Sequence, residues 1–117
     1  MKCKQTSEYH TGGLRGYYSC SYKDLETAFG TPPVGVDGKV STEWKFKDEE
    51  GKVWSVYDYK ETNLYDPSLQ SVAEFREWVD YSWHIGGGGS VDRVKPFVQW
   101  LHDEVKMAIA DAHEAEA

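Results

Sequence analysis

Polar and apolar residues alternate most regularly between Val40 and Phe46. Val40, Thr42, Trp44 and Phe46 share one side, and Ser41, Glu43 and Lys45 share the other. A period of two marks a half-buried strand, because successive side chains of an extended chain point to opposite faces. Asp48-Glu49-Glu50-Gly51-Lys52 then reads as a hairpin loop, with Gly51 in the left-handed position of a type I turn with a bulge. The returning strand, Val53 to Lys60, sets Trp54 and Val56 beside Trp44 and Phe46 and leaves Ser55, Tyr57 and Tyr59 on the side of Glu43. A slip of one residue would exchange the faces of this second strand. Asp58 and Lys60 fall on the core side at its end, either as the rim of a pocket or as a plain salt bridge at a solvated strand end.

Weaker patterns flank the hairpin. Leu14 to Ser19 reads as a strand with Tyr17 and Tyr18 on opposite faces, and Ser21 as the cap of a short helix that buries Leu25, Ala28 and Phe29 and stops at Gly30. Thr31 to Lys39 is dense in turn formers, and its paired prolines demand an extended path. Ser68 or Ser71 caps a second helix through Val79, with Val72, Phe75 and Val79 on one face; Trp78 and Tyr81 then lead back to a strand at Ser82 to Ile85. From Val91 to about His113 the period lengthens, and Val94, Phe97, Val98, Leu101, Val105, Ala108 and Ala112 form the stripe of a long helix whose first turns Pro96 interrupts. The pattern predicts an α+β fold: a small antiparallel sheet packed against a long C-terminal helix, with one or two short helices. A single domain covers 1–117, with 1–13 as a flexible arm or edge segment, 14–90 as the sheet core and 91–114 as the last helix.

The stretch Tyr81 to Ser90, YSWHIGGGGS, joins an aromatic strand, four glycines and an expected helix start. Backbone N–H groups at such a turn, facing the positive end of a helix dipole, suit a phosphate or carboxylate. Gly86, Gly87 and Ser90 would supply those donors, His84 and Lys60 charge, and Trp83 or Tyr57 a ring to stack on a base. The stretch lacks the Lys-Ser/Thr ending of a P-loop and the spacing of the dinucleotide fingerprint. Two other readings stand beside this one. Gly86 to Ser90 is also the unit of a flexible linker, and the glycines also suit a plain mobile loop with His84 hydrogen-bonded at a sheet edge.

Composition narrows the partners. Five Trp, eight Tyr and four Phe make up 15% of the 117 residues, a stock that serves a small core or a stacking surface equally well. Thirteen basic against twenty acidic residues give a net charge of −7, which disfavours non-specific nucleic-acid binding but allows a local pocket for a small anion, or a basic protein partner. The length leaves room for a homo-oligomer to add burial. Cys3 and Cys20 match no zinc spacing, and no cofactor or metal is expected; His102 and His113 are too far apart for an i, i+4 metal pair. Without a signal peptide or a membrane-length apolar run, the expectation is a soluble, cytoplasmic protein with no membrane association. No HExxH, CxxC pair, GxSxG or P-loop is present, so an enzyme would have to rely on His84 with a carboxylate such as Glu43 or Asp58.

Four short motifs occur in order: Phe29-Gly30-x-Pro32, Asp37-Gly38-Lys39-Val40 before Glu43-Trp44, Tyr57-Asp58-x-Lys60, and Trp83-His84-Ile85-Gly86-Gly87. Together, over roughly Leu25 to Gly87, they resemble a group of small viral and phage proteins that share this FGxP, EW, YDxK and WHIGG order. The resemblance implies a viral origin, residence in the host cytoplasm, and a role against host defence through binding a protein or sequestering a nucleotide signal. It singles out Tyr57, Asp58, Lys60, His84, Gly86 and Gly87. Three functions follow in order: a binding protein that sequesters a small anionic, nucleotide-derived immune signal; an acidic inhibitor of a host defence protein; and an enzyme acting on such a nucleotide.

Overall fold

The computed structural model describes residues 1–10, 12–33 and 38–116. Part of the turn-rich stretch between Thr31 and Lys39, with Asp37 of the second motif, therefore lies outside the described residues. The elements in order are β1 (Cys3–Gln5), β2 (Leu14–Cys20), α1 (Tyr22–Phe29), β3 (Glu43–Asp48), β4 (Val53–Tyr57), α2 (Val72–Arg76), β5 (Tyr81–Gly87), a 3₁₀ turn (Val91–Arg93) and α3 (Val94–Glu116). The strands form one antiparallel sheet in the order β1-β3-β4-β5-β2. With the long C-terminal helix and two short ones, this is the expected α+β fold.

The β3–β4 hairpin sets the register of the core. Gly51 takes φ +81°, and the Asp48 carboxylate organises the loop by accepting from Glu50 N at 2.9 Å and Lys52 N at 3.0 Å. Its other oxygen accepts from Trp54 Nε1 at 3.1 Å and Arg93 Nη2 at 3.3 Å. Trp44 then lies opposite Val56 and Phe46 opposite Trp54, on one face. Those four side chains, with Trp83 and Ile85 of β5, are all but fully buried.

The helices cover that same face. Phe97, Leu101 and Val105 of α3 are buried in it, and the Phe97 ring stacks on Trp54 at 4.7 Å and 3°. Ser21 caps α1 by accepting from Asp24 N at 3.0 Å, Gly30 closes it at φ +80°, and Leu25 is buried beneath. Ser71 and Glu74 form a capping box on α2, which presses Phe75 against Trp83 at 5.7 Å.

Several boundaries differ from the pattern. Strand β4 ends at Tyr57 rather than Lys60, because Asp58 turns inward and accepts from Ser41 N at 2.8 Å, Ser41 Oγ at 2.6 Å and Thr42 N at 2.7 Å. These bonds also hold residues 41 and 42 short of the regular ladder, so β3 begins at Glu43. Helix α2 stops at Arg76, and Val79, expected on its apolar face, is 92% exposed beyond its end. No long helix opens at Ser90; the 3₁₀ turn comes first, and Pro96 falls inside the first turn of α3, where its missing N–H costs no helical bond. Of the two readings of residues 1–13, the edge segment holds for Cys3–Gln5, which pairs with β3.

Candidate functional site

The sheet face turned away from the helices is only partly covered. Residues 7–10 cross its β3–β4 half: the Ser7 carbonyl accepts from Lys45 Nζ at 3.2 Å, the Tyr9 ring lies 4.0 Å from the same ammonium, and His10 Nε2 shares a 2.7 Å hydrogen bond with Ser55 Oγ. Toward β5 and β2 the face carries an aromatic shelf.

Strand register builds the shelf. Tyr17 of β2 lies opposite His84 of β5, and His84 lies opposite Tyr57 of β4. Neighbouring strands are about 4.8 Å apart, so directly paired residues on one face bring their rings into contact. The His84 ring centroid is 5.0 Å from Tyr17 and 5.4 Å from Tyr57, with Tyr59 at 5.8 Å and Tyr81 at 6.4 Å. Tyr17 is 53% exposed and Tyr59 39%, which leaves the row open to solvent.

Electrostatics make the centre of the shelf an uncharged ring. Burial holds the His84 imidazole below its ordinary value, and the carboxylates of Glu61 and Asp58 pull it back only in part. Near neutral pH it therefore offers a π-face, not the positive charge expected of it. The Tyr57 phenol is pushed up, chiefly by burial and then by Glu43, and stays protonated. His84 Nδ1 has one long contact, 3.5 Å to the Tyr81 hydroxyl, which in turn donates to Glu61 Oε1 at 3.5 Å.

The structure brings together Tyr57 and His84 of the expected site, with Lys60 at the rim. Lys60 adopts a left-handed φ of 59°, and its ammonium lies 5.1 Å from the Tyr59 ring and 5.2 Å from that of Tyr65. The other expected residues stand elsewhere. Trp83 is on the opposite face, fully buried, with its Nε1 donating to the Cys20 carbonyl at 3.0 Å, because adjacent strand residues alternate sides. Asp58 is buried in its bonds to Ser41 and Thr42, and burial outweighs those donors and raises its carboxyl. It makes no acid–base pair with His84.

The glycines prove to be packing residues. Gly86 and Gly87 belong to β5, the Gly87 N–H donates to the Gly13 carbonyl at 3.1 Å, and Gly88 N donates to Val53 O at 2.8 Å. Neither of those N–H groups is left for an anion. A Cβ at Gly87 would meet Val53 O at 2.3 Å, and one at Gly88 would meet the Trp54 indole at 2.2 Å. Both therefore need glycine, and their burial and sheet bonds set aside the flexible-linker reading. Ser90 is exposed, and its side chain makes no cap bond at the 3₁₀ turn that leads into α3.

Tyr17, like Tyr59 and Tyr81, is a ring beside His84 that the sequence pattern does not assign to the site. Its strand was legible, but its neighbour His84 lies far along the chain, and only the β2–β5 pairing joins them. Among the described residues, no group of three or more His, Cys, Asp or Glu side chains is placed to hold a metal ion, and no helix is long and apolar enough to cross a membrane.

Compared with models of known families, the chain matches none, and it matches no curated protein.

Proposed function

We propose that this is a binding protein that holds a small nucleotide-type ligand on the open aromatic face of its sheet. The observation that supports this reading is the row Tyr17–His84–Tyr57, three rings in register across neighbouring strands with an uncharged imidazole at the centre. A base stacked on such rings gains about 1–3 kcal/mol per contact, whatever its identity. The net charge of −7 weighs against a long polyanion, whereas a small ligand responds mainly to charges within a Debye length. In the setting that the motif resemblance implies, sequestration of a nucleotide-derived immune signal would blunt a host defence. Binding suffices for that role.

Native mass spectrometry of the protein purified from its host, followed by denaturation, tests the reading. The expected result is release of an intact nucleotide, with occupancy lost in Tyr57→Ala and His84→Ala. An empty protein that also fails to bind a panel of linear and cyclic nucleotides would overturn it.

A second reading, inhibition of a host defence protein, draws on Trp78 and Val79, which stand 39% and 92% exposed just past α2. Capture of a basic host partner that is weakened by Val79→Asp and by salt, but not by His84→Ala, would favour it.

A further inference from the structure

A second feature adjoins the shelf. A cleft of about 470 Å³ opens between residues 8–10, Gly12, Arg15, the hairpin loop at Lys52 and the glycine turn at 87–89. We infer that this cleft is an anion subsite in which Arg15 and Lys52 hold a phosphate group. The inference takes the open face as the ligand surface proposed above and adds the place of the phosphate end.

Four observations carry it. The Arg15 Nε donates to the Gly87 carbonyl at 2.9 Å, which fixes the guanidinium at the cleft wall and leaves its terminal nitrogens for a bidentate contact with oxygen. The Lys52 stem runs along Gly89, with Cε 3.4 Å and Nζ 3.8 Å from where a Cβ would stand there. Among the described residues neither cation forms an ion pair, while Glu8, the one acid in the lining, is bound to Lys47 at 2.8 Å. Finally, Gly87, Gly88 and Gly89 take positive φ in succession, so one wall has no side chains and a ligand can approach the backbone closely. Two cations without acidic partners are a local inversion of a strongly acidic chain.

The cleft and the shelf meet at Gly86. The point where its Cβ would stand is 3.2 Å from Tyr57 Cε1 and 3.4 Å from His10 Cε1, so a shelf ring and a cleft ring pack on the same glycine. On β2, Arg15 is two residues from Tyr17. Two residues along a strand rise about 6.8 Å, so the cleft's guanidinium and the shelf's outer ring start from neighbouring points of β2.

The test compares adenosine, adenosine diphosphate and inorganic pyrophosphate on the full chain, by calorimetry and by amide chemical shifts. Adenosine diphosphate is expected to bind at least tenfold more tightly than adenosine, and pyrophosphate to shift the amides of Lys52, Gly88 and Gly89. Lys52→Glu, an exposed change, should erase the ratio while adenosine affinity and melting temperature stay unchanged. Arg15→Ala should do the same, with its fold checked by melting because it also holds Gly87. Adenosine and its diphosphate binding equally to the wild type would overturn the inference and leave the shelf standing. Pyrophosphate shifting the cleft with no binding of adenosine or its diphosphate would sustain the anion subsite and remove the shelf. No response to any of the three would remove both.

Discussion

The two faces of the sheet carry aromatic rows built by the same pleat, yet they end in opposite states. On the covered face, Trp44, Trp54 and Trp83 are almost wholly buried, and each indole N–H has found one acceptor: the Gly30 carbonyl at 3.0 Å, Asp48 Oδ2 at 3.1 Å and the Cys20 carbonyl at 3.0 Å. On the open face, Tyr17, His84 and Tyr57 touch ring to ring but keep contact with solvent. An indole has a single donor to satisfy and is then free to enter a core, whereas phenol and imidazole have donor and acceptor needs that water meets more readily. The abundance of aromatic residues thus divides into a part that stabilises the fold and a part available to a partner.

Substitutions on each face should separate those parts. Trp54→Ala removes the ring stacked on Phe97 and leaves a cavity, and should cost about 3–5 kcal/mol in denaturant unfolding. Gly88→Ala tests the same ring from the other side: its methyl would press on the Trp54 indole at φ +69°, and a loss of about 1–3 kcal/mol is expected. A neutral result there would mean that the indole has room to move. On the open face the order of effects should reverse. Tyr17→Ala and His84→Ala should lower affinity for a nucleotide-type ligand about tenfold, within the range for one stacking contact, and move stability by less than about 1 kcal/mol. Equal losses of stability on both faces would erase the distinction.

Titration should give the smallest effects, again of different origin on the two faces. Burial raises the Asp48 carboxyl, but hydrogen bonds from Trp54, the Lys52 and Glu50 amides and Arg93 outweigh it and hold the group below its ordinary value. Its contribution is therefore complete above the unfolded carboxyl value and is lost as pH falls through the lower folded one. Asp48→Asn should flatten that acid limb of the stability curve. His84 is also depressed, by burial, so the unfolded chain takes up its proton first as pH falls. Stability should decline below about pH 6.5, and His84→Gln should remove that part of the slope. Imidazole resonances followed by NMR would check the direction.

The core hairpin was legible because its information is local. Alternation from Val40 to Phe46 marks the buried face and the glycine at position 51 the turn, while the strand pairing decides the register that a one-residue slip would have changed, and Trp44, Phe46, Trp54 and Val56 meet on one face. The Ser21 cap, the Gly30 stop and the stripe of the last helix are local in the same sense. The site was legible only in part. Tyr57, Lys60 and His84 come together, but Trp83 points into the core, and the glycines expected to receive an anion are spent on sheet bonds and close packing.

What the sequence by itself determined, then, is the fold class, the covered face and the turn chemistry, because period, caps and positive-φ glycines act over a few residues. What only the tertiary structure decided is which strands are neighbours. The β2–β5 and β4–β5 pairings set Tyr17 and Tyr57 on either side of His84, the crossing of residues 7–10 leaves part of that face open, and the bond from Arg15 to Gly87 places a cation at the glycine turn. These contacts join residues far apart in the chain, and no short-range pattern encodes them.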